Sequence, residues 1–125
     1  MNILRIGFVG TRTANFKQTA DFFQDILGLP TAFTKPDWTG FRLPTGKYDF
    51  LEVIGPTRQD PNFFPDSAGD LMVAFIVDDV VGAHAEIEAA GGELLGDVFW
   101  AAEGFGWFFL RAPDGNIYAI QQVPE

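Results

Sequence analysis

WFFLRAPDGNIYAIQQ, residues 107–122, is the stretch whose reading decides the fold. Two runs rich in aromatic and β-branched residues flank Pro113-Asp114-Gly115-Asn116. Proline presets φ, Asp and Asn hydrogen-bond their own backbone, and Gly supplies positive φ, so the four residues predict a turn between antiparallel strands. Successive strand side chains point to opposite faces. Trp107, Phe109 and Arg111 therefore share one face, against Phe108 and Leu110; after the turn, Ile117, Ala119 and Gln121 oppose Tyr118 and Ile120.

Working outward, residues 3–13 read as a first strand. Asn15, with Gln18 three positions on, forms a capping-box pattern ahead of a helix over about 16–27, whose apolar stripe is Phe16, Ala20, Phe23 and Leu27. Gly28 supplies the stop. Short strands are expected over 30–33, 38–43 and 48–54, the last two joined by the turn at Pro44-Thr45-Gly46-Lys47. A linker rich in Pro, Gly and Asp follows at 55–70. Its Phe63-Phe64 pair is unusual for a solvated loop and predicts packing onto a core or partner. Residues 71–79 then read as a strand running into a cap at Asp78 or Asp79. A helix over about 80–90 carries Val80, Ala83, Ile87 and Ala90 on one stripe and ends at Gly91-Gly92; a strand over 93–99 precedes the hairpin.

The order strand, helix, three strands thus occurs twice, as module 1 (about 1–54) and module 2 (about 71–125). A shift of 64 lays Phe8 on Met72, Asn15 on Asp79, Phe23 on Ile87 and Gly28 on Gly92; the turn at 44–46 falls on 113–115 with a shift of 69. A repeated unit that cannot bury its own face is expected to pair with its copy.

Composition narrows the function classes. The chain has 125 residues, 47% of them hydrophobic, including 14 Phe, enough for one domain with a sizeable core. The absence of Cys excludes disulfides, thiolate metal sites and cysteine nucleophiles, and fits a cytoplasmic protein. No signal-peptide pattern and no apolar run near the ~20 residues of a membrane span are read. A net charge of −9 argues against nucleic acid and admits a cationic ligand.

Three pieces, ADFFQDILGL (20–29), VAFIVDDVVGAHAEIEAAGGEL (73–94) and RAPDGNIYAIQQ (111–122), resemble in order the signatures of the glyoxalase/bleomycin-resistance/extradiol-dioxygenase superfamily, also called vicinal oxygen chelate. The resemblance implies an α+β fold: two βαβββ modules forming a half-open, eight-stranded cup with helices outside, commonly as a homodimer. Metal-using members carry His or Gln on the first strand, Glu on the fourth, His on the fifth and Glu on the eighth. Carried over, those places fall on Phe8, Glu52 (or Phe50 if aligned strictly on the turn glycine), Met72 and Ala119. Three of the four are apolar, so the expectation is a chain without metal or cofactor and without assigned catalytic residues. His84 is expected on the outer side, as a surface or helix–sheet contact.

The expected ligand-binding residues of the cup are Phe8, Trp38, Arg42, Glu52, Met72, Trp100, Trp107, Phe109 and Arg111, with Arg12 a further polar candidate. Aromatic walls with a few polar groups suit planar or cationic compounds, although aromatic strand residues also serve as plain core. Glu52 is expected to pair with an inner arginine. Residues 99–107, FWAAEGFGW, read as a mobile rim with Trp100 and Phe105 over the cleft and Gly104 and Gly106 as hinges, or simply as a glycine-rich loop; Glu103 lies within it. Three functions follow: a metal-free protein sequestering an aromatic or cationic small molecule; a superfamily lyase, isomerase or dioxygenase with an atypical site, using Glu52 as base; or a non-catalytic interaction module whose cup is filled by its own side chains.

Overall fold

The turn at 113–116 closes as its residues dictate. Asn116 N–H donates to Asp114 Oδ1 at 2.9 Å, Gly115 N–H donates to the Ala112 carbonyl at 2.9 Å, and Gly115 takes φ +84°. The computed structural model describes residues 1–58, 60, 62–65 and 71–124; residues 66–70 of the expected linker lie outside them. The strands on either side, β8 (Phe105–Arg111) and β9 (Ile117–Gln122), pair antiparallel, with Trp107 opposite Gln121, Phe109 opposite Ala119 and Phe108 opposite Ile120.

The chain divides into two compact units that are interleaved in sequence: Phe8–Leu71, and Met1–Gly7 with Met72–Glu125. In chain order the described elements are β1 (Ile3–Arg12), α1 (Phe16–Asp21), β2 (Thr31–Lys35), β3 (Trp38–Arg42), β4 (Phe50–Ile54), β5 (Leu71–Val77), α2 (Val80–Ala89), β6 (Glu93–Leu94), β7 (Phe99–Ala102), β8 and β9.

In the Phe8–Leu71 unit the strand order is β2-β3-β4-β1, with β1 and β4 parallel and the other neighbours antiparallel. The expected helix over 16–27 is shorter. After Asp21 it widens into a π-helical turn, Phe22–Ile26, where Leu27 N–H reaches the Phe22 carbonyl at 3.2 Å. Asn15 does not cap it through its side chain, and none of its residues is fully buried. Phe23 meets Phe41 edge-on at 6.0 Å, but Leu27, expected on the same stripe, is exposed, because the wider turn rotates it off the sheet. Gly28 ends the helix at φ +68°.

In the other unit the order is β5-β9-β8-β6, with β7 also on β8. Asp79 caps α2, its side chain accepting from Gly82 N–H at 3.0 Å. Val80 and Ala83 of α2 pack with Val77, Phe108 and Ile120. The Phe108 face of the hairpin is therefore the helix-covered core, and the Trp107–Phe109 face is its reverse. The single strand expected over 93–99 is split. Glu93 and Leu94 pair with Arg111 and Leu110, Phe99 and Trp100 pair with Trp107 and Gly106, and Gly96 at φ +118° interrupts the ladder between them. That interruption turns the expected eight strands into nine among the described residues. No helix among these residues is long and apolar enough to cross a membrane.

Candidate functional site

On one face of the Phe8–Leu71 sheet, strand register sets three tiers. Phe8, Phe50 and Arg42 lie across β1, β4 and β3; next come Gly10, Glu52 and Gly40; then Arg12, Ile54 and Trp38. Beside β3, Phe33 aligns with Gly40 and Lys35 with Trp38. The two glycines flanking Glu52 leave room that rings fill. A Cβ on Gly10 would stand 2.7 Å from Phe8 Cζ and 2.8 Å from Phe64 Cε2, and one on Gly40 would strike the Phe33 ring. Glu52 is thus a buried carboxylate walled by aromatic rings.

Its partner is not the expected arginine. Trp38 Nε1–H donates to Glu52 Oε1 in a short hydrogen bond. Arg42 instead donates to the Lys47 carbonyl at 3.1 Å and lies 5.8 Å from the Phe50 ring centroid, one tier away; Arg12 donates to the Phe64 carbonyl at 3.2 Å and lies 4.8 Å from the Phe64 ring. Burial raises the Glu52 pKa to about 7, against the opposing pull of the Trp38 hydrogen bond and the Lys35 charge.

Trp38 is the centre of this cluster. Phe33 and Phe63 lie 5.1 and 5.3 Å away, and two cations stack on the indole: Arg58 at 4.5 Å and Lys35 at 4.8 Å from the ring centroid. Donation of the indole N–H to a carboxylate shifts electron density into the ring and deepens its attraction for cations. Phe63, Phe64 and Arg58 come from the linker, so the Phe-Phe pair packs onto this face, as its composition requires. The crevice they leave, between Arg12, Trp38, Ile54, Arg58 and the two phenylalanines, is about 10 Å³, the space of one water.

In the other unit, Trp107, Phe109 and Arg111 share a face with Ala119 and Gln121, and β5 adds Ala74 and Ile76 opposite Ala119 and Gln121; Met72 follows two positions earlier on the same side. Phe99 and Phe105 lie 5.4 and 5.2 Å from Trp107. Arg111 is held at the hairpin end by Glu93 at 2.9 Å and the Gly115 carbonyl at 2.9 Å. Trp100 departs from expectation. It pairs with Gly106, its ring lies over that glycine on the Phe108 face, and it is 46% exposed, so it stands on the reverse of the sheet from Trp107. The expected rim loop is a β7–β8 hairpin turning at Glu103-Gly104, with Gly104 at φ +73°. His84 lies at the helix–sheet contact, donating from Nε2 to the Gly96 carbonyl at 2.9 Å and meeting Phe108 edge-on at 4.9 Å.

Sequence reasoning missed Phe33, Lys35 and Arg58 around Trp38, and Gln121 beside Trp107, whose buried Oε1 has no hydrogen-bond partner. Alternation from Ala119 signals Gln121. Arg58 lies in a linker, and no local pattern points it at Trp38.

These two units, each a mixed sheet with a helix, define the class of protein. A family profile described as the Glyoxalase/Bleomycin resistance protein/Dioxygenase superfamily matches residues 5–120, and the chain belongs to that superfamily. No curated protein matches it in sequence. Among solved structures, it is similar to a glyoxalase/bleomycin resistance protein/dioxygenase superfamily member from Vibrio splendidus 12B01 (18% identity, 95% of this chain and 98% of that one, TM-score 0.70). It is also similar to the Mn(II)-bound glyoxalase from Novosphingobium aromaticivorans (18%, 95% and 38%, TM-score 0.74) and to a Streptomyces coelicolor methylmalonyl-CoA epimerase in complex with 2-nitronate-propionyl-CoA (19%, 99% and 100%, TM-score 0.70). At such identities the likeness concerns the fold.

The metal that the superfamily implies does not fit the residues present. Phe8 and Ala119 carry no donor atom, Met72 offers only a soft thioether sulfur in place of an imidazole, and Glu52 is engaged by an indole N–H among aromatic rings. Among the described residues, no group of three or more His, Cys, Asp or Glu could hold a metal ion.

Proposed function

We propose that this protein binds a small planar organic cation, without a metal, at the Trp38 cluster, and that it works as a homodimer. The observation that carries the reading is the pair of cations already stacked on Trp38 while its indole N–H is held by the buried Glu52 carboxylate. An electron-rich indole backed by a carboxylate favours a delocalised cation over a neutral compound of the same shape. The acidic balance of the chain, −9, acts in the same direction. Titration calorimetry with phenylguanidinium and its neutral analogue phenylurea tests it. Saturable binding of the cation, at least tenfold tighter than the neutral compound, is expected; no heat from either overturns it.

A second reading, an enzyme using Glu52 as general base, rests on the carboxyl pKa near 7, where a base is half ionised at neutral pH. Metal analysis of protein purified without chelators separates this from conventional superfamily chemistry. A stoichiometric divalent ion would refute metal-free binding.

A further inference from the structure

The described part of residues 55–64 is a strap with its own anchor. Asp37, between β2 and β3, takes φ +61°, its backbone carbonyl accepts from Gly55 N–H at 2.8 Å, and its carboxylate accepts from Thr57 N–H at 2.7 Å, the Thr57 hydroxyl, and Arg58 N–H at 3.1 Å. That clamp fixes the backbone from which Arg58 reaches the Trp38 indole. The far end is held by Phe64, which is buried and whose carbonyl accepts from Arg12. Between the anchors Arg58 is poorly satisfied. Among the described residues its Nε is buried without a hydrogen-bond partner, and its guanidinium lies 3.9 Å from the Asp60 carboxylate. A guanidinium with a desolvated donor and a loose ion pair is held chiefly by the indole face it covers.

We propose that Arg58 is a tethered occupant of the Trp38 site, competing with the cationic ligand for the same ring and setting both affinity and selectivity. The proposal rests on the binding reading above and adds its regulation. Guanidinium is itself a planar cation, so it marks the class of group the site accepts, and the small residual crevice follows because the place is filled from within. A ligand enters by displacing Arg58 from the indole while the Asp37 clamp keeps the strap attached. Apparent affinity is then reduced by the fraction of time the site is open.

Phenylguanidinium titrated by calorimetry into the wild-type protein, Arg58→Ala and Arg58→Lys tests this. Arg58→Ala is expected to bind on the order of tenfold tighter than wild type, as a site closed about nine-tenths of the time requires. Arg58→Lys, which keeps a cation on the strap, is expected to stay within about threefold of wild type. Urea unfolding confirms that each variant remains folded. Acrylamide quenching of tryptophan fluorescence, expected to rise in Arg58→Ala without ligand, gives a readout that needs no binding. Wild-type binding with Arg58→Ala equal or weaker overturns the tethered-occupant proposal and leaves the binding reading standing. Absence of binding by all three proteins, with quenching unchanged, overturns both.

Discussion

Glu52 and Asp37 show how two carboxylates of one sheet are set apart by their surroundings. Glu52 is walled by rings and accepts one indole hydrogen bond, so desolvation dominates and its pKa rises from 4.5 to about 7. A carboxyl that holds its proton more tightly when folded adds stability below its unfolded pKa, and loses that contribution as pH rises through the folded value. Stability is therefore expected to fall by about 3 kcal/mol between pH 4.5 and 7 from this group alone. Glu52→Gln, neutral throughout, should flatten that slope in urea melts and be the more stable protein at pH 8. Asp37 shows the reverse: hydrogen bonds, the Thr57 hydroxyl first, lower its pKa, so its clamp persists at neutral pH and weakens only in strong acid. Asp37→Gly keeps the positive φ and removes the acceptor. It should cost about 1–3 kcal/mol in unfolding free energy and raise acrylamide quenching as the strap loosens.

At the scale of elements, the two helices differ in what holds them. The α2 cap, Asp79 to Gly82, and the packing of Val80 and Ala83 on Phe108 and Ile120 make it a part of the core. Asp79→Ala should lower stability by about 1 kcal/mol in urea melts. The first helix has neither a side-chain cap nor a buried residue, and its π turn leaves Phe22, Ile26 and Leu27 exposed. On the sheet, Gly10 is the seat of the strap. Gly10→Ala would press on the rings of Phe8 and Phe64, and a destabilisation of about 1–3 kcal/mol is expected from the forced repacking. Calorimetry of this variant should show phenylguanidinium binding altered, because the strap that carries Arg58 is unseated.

For the whole molecule, the excess of 17 acidic over 8 basic side chains gives long-range attraction for cations and self-repulsion of the folded chain. Salt screens both. Raising ionic strength from about 10 to 300 mM should weaken phenylguanidinium binding severalfold, mostly through the association rate, while raising the thermal midpoint. Binding that gains with salt would show that apolar stacking rather than charge selects the ligand.

The repeat of strand, helix and strands, the hairpin at 107–122 and the two helix stops at Gly28 and Gly91-Gly92 were legible in the chain, because turn chemistry and side-chain alternation are local properties. So was the apolar character of Phe8, Met72 and Ala119, since residue type needs no geometry to be noticed. The tertiary structure decided what faces what. Glu52 meets Trp38 rather than an arginine because Arg42 is held at the Lys47 carbonyl and Arg12 at the Phe64 carbonyl, while the register of β3 on β4 brings the indole within reach, and register is a relation between strands that no local pattern encodes. Trp100 stands behind the sheet because its pairing with Gly106 across the β7–β8 hairpin, next to a register shift between Trp100 and Ala102, sets its parity. Arg58 reaches Trp38 because Asp37, 21 positions earlier, clamps its backbone. Sequence alone determined the fold; only long-range packing decided which rings, carboxylate and cation meet, because such contacts depend on the register of segments that carry no local mark of one another.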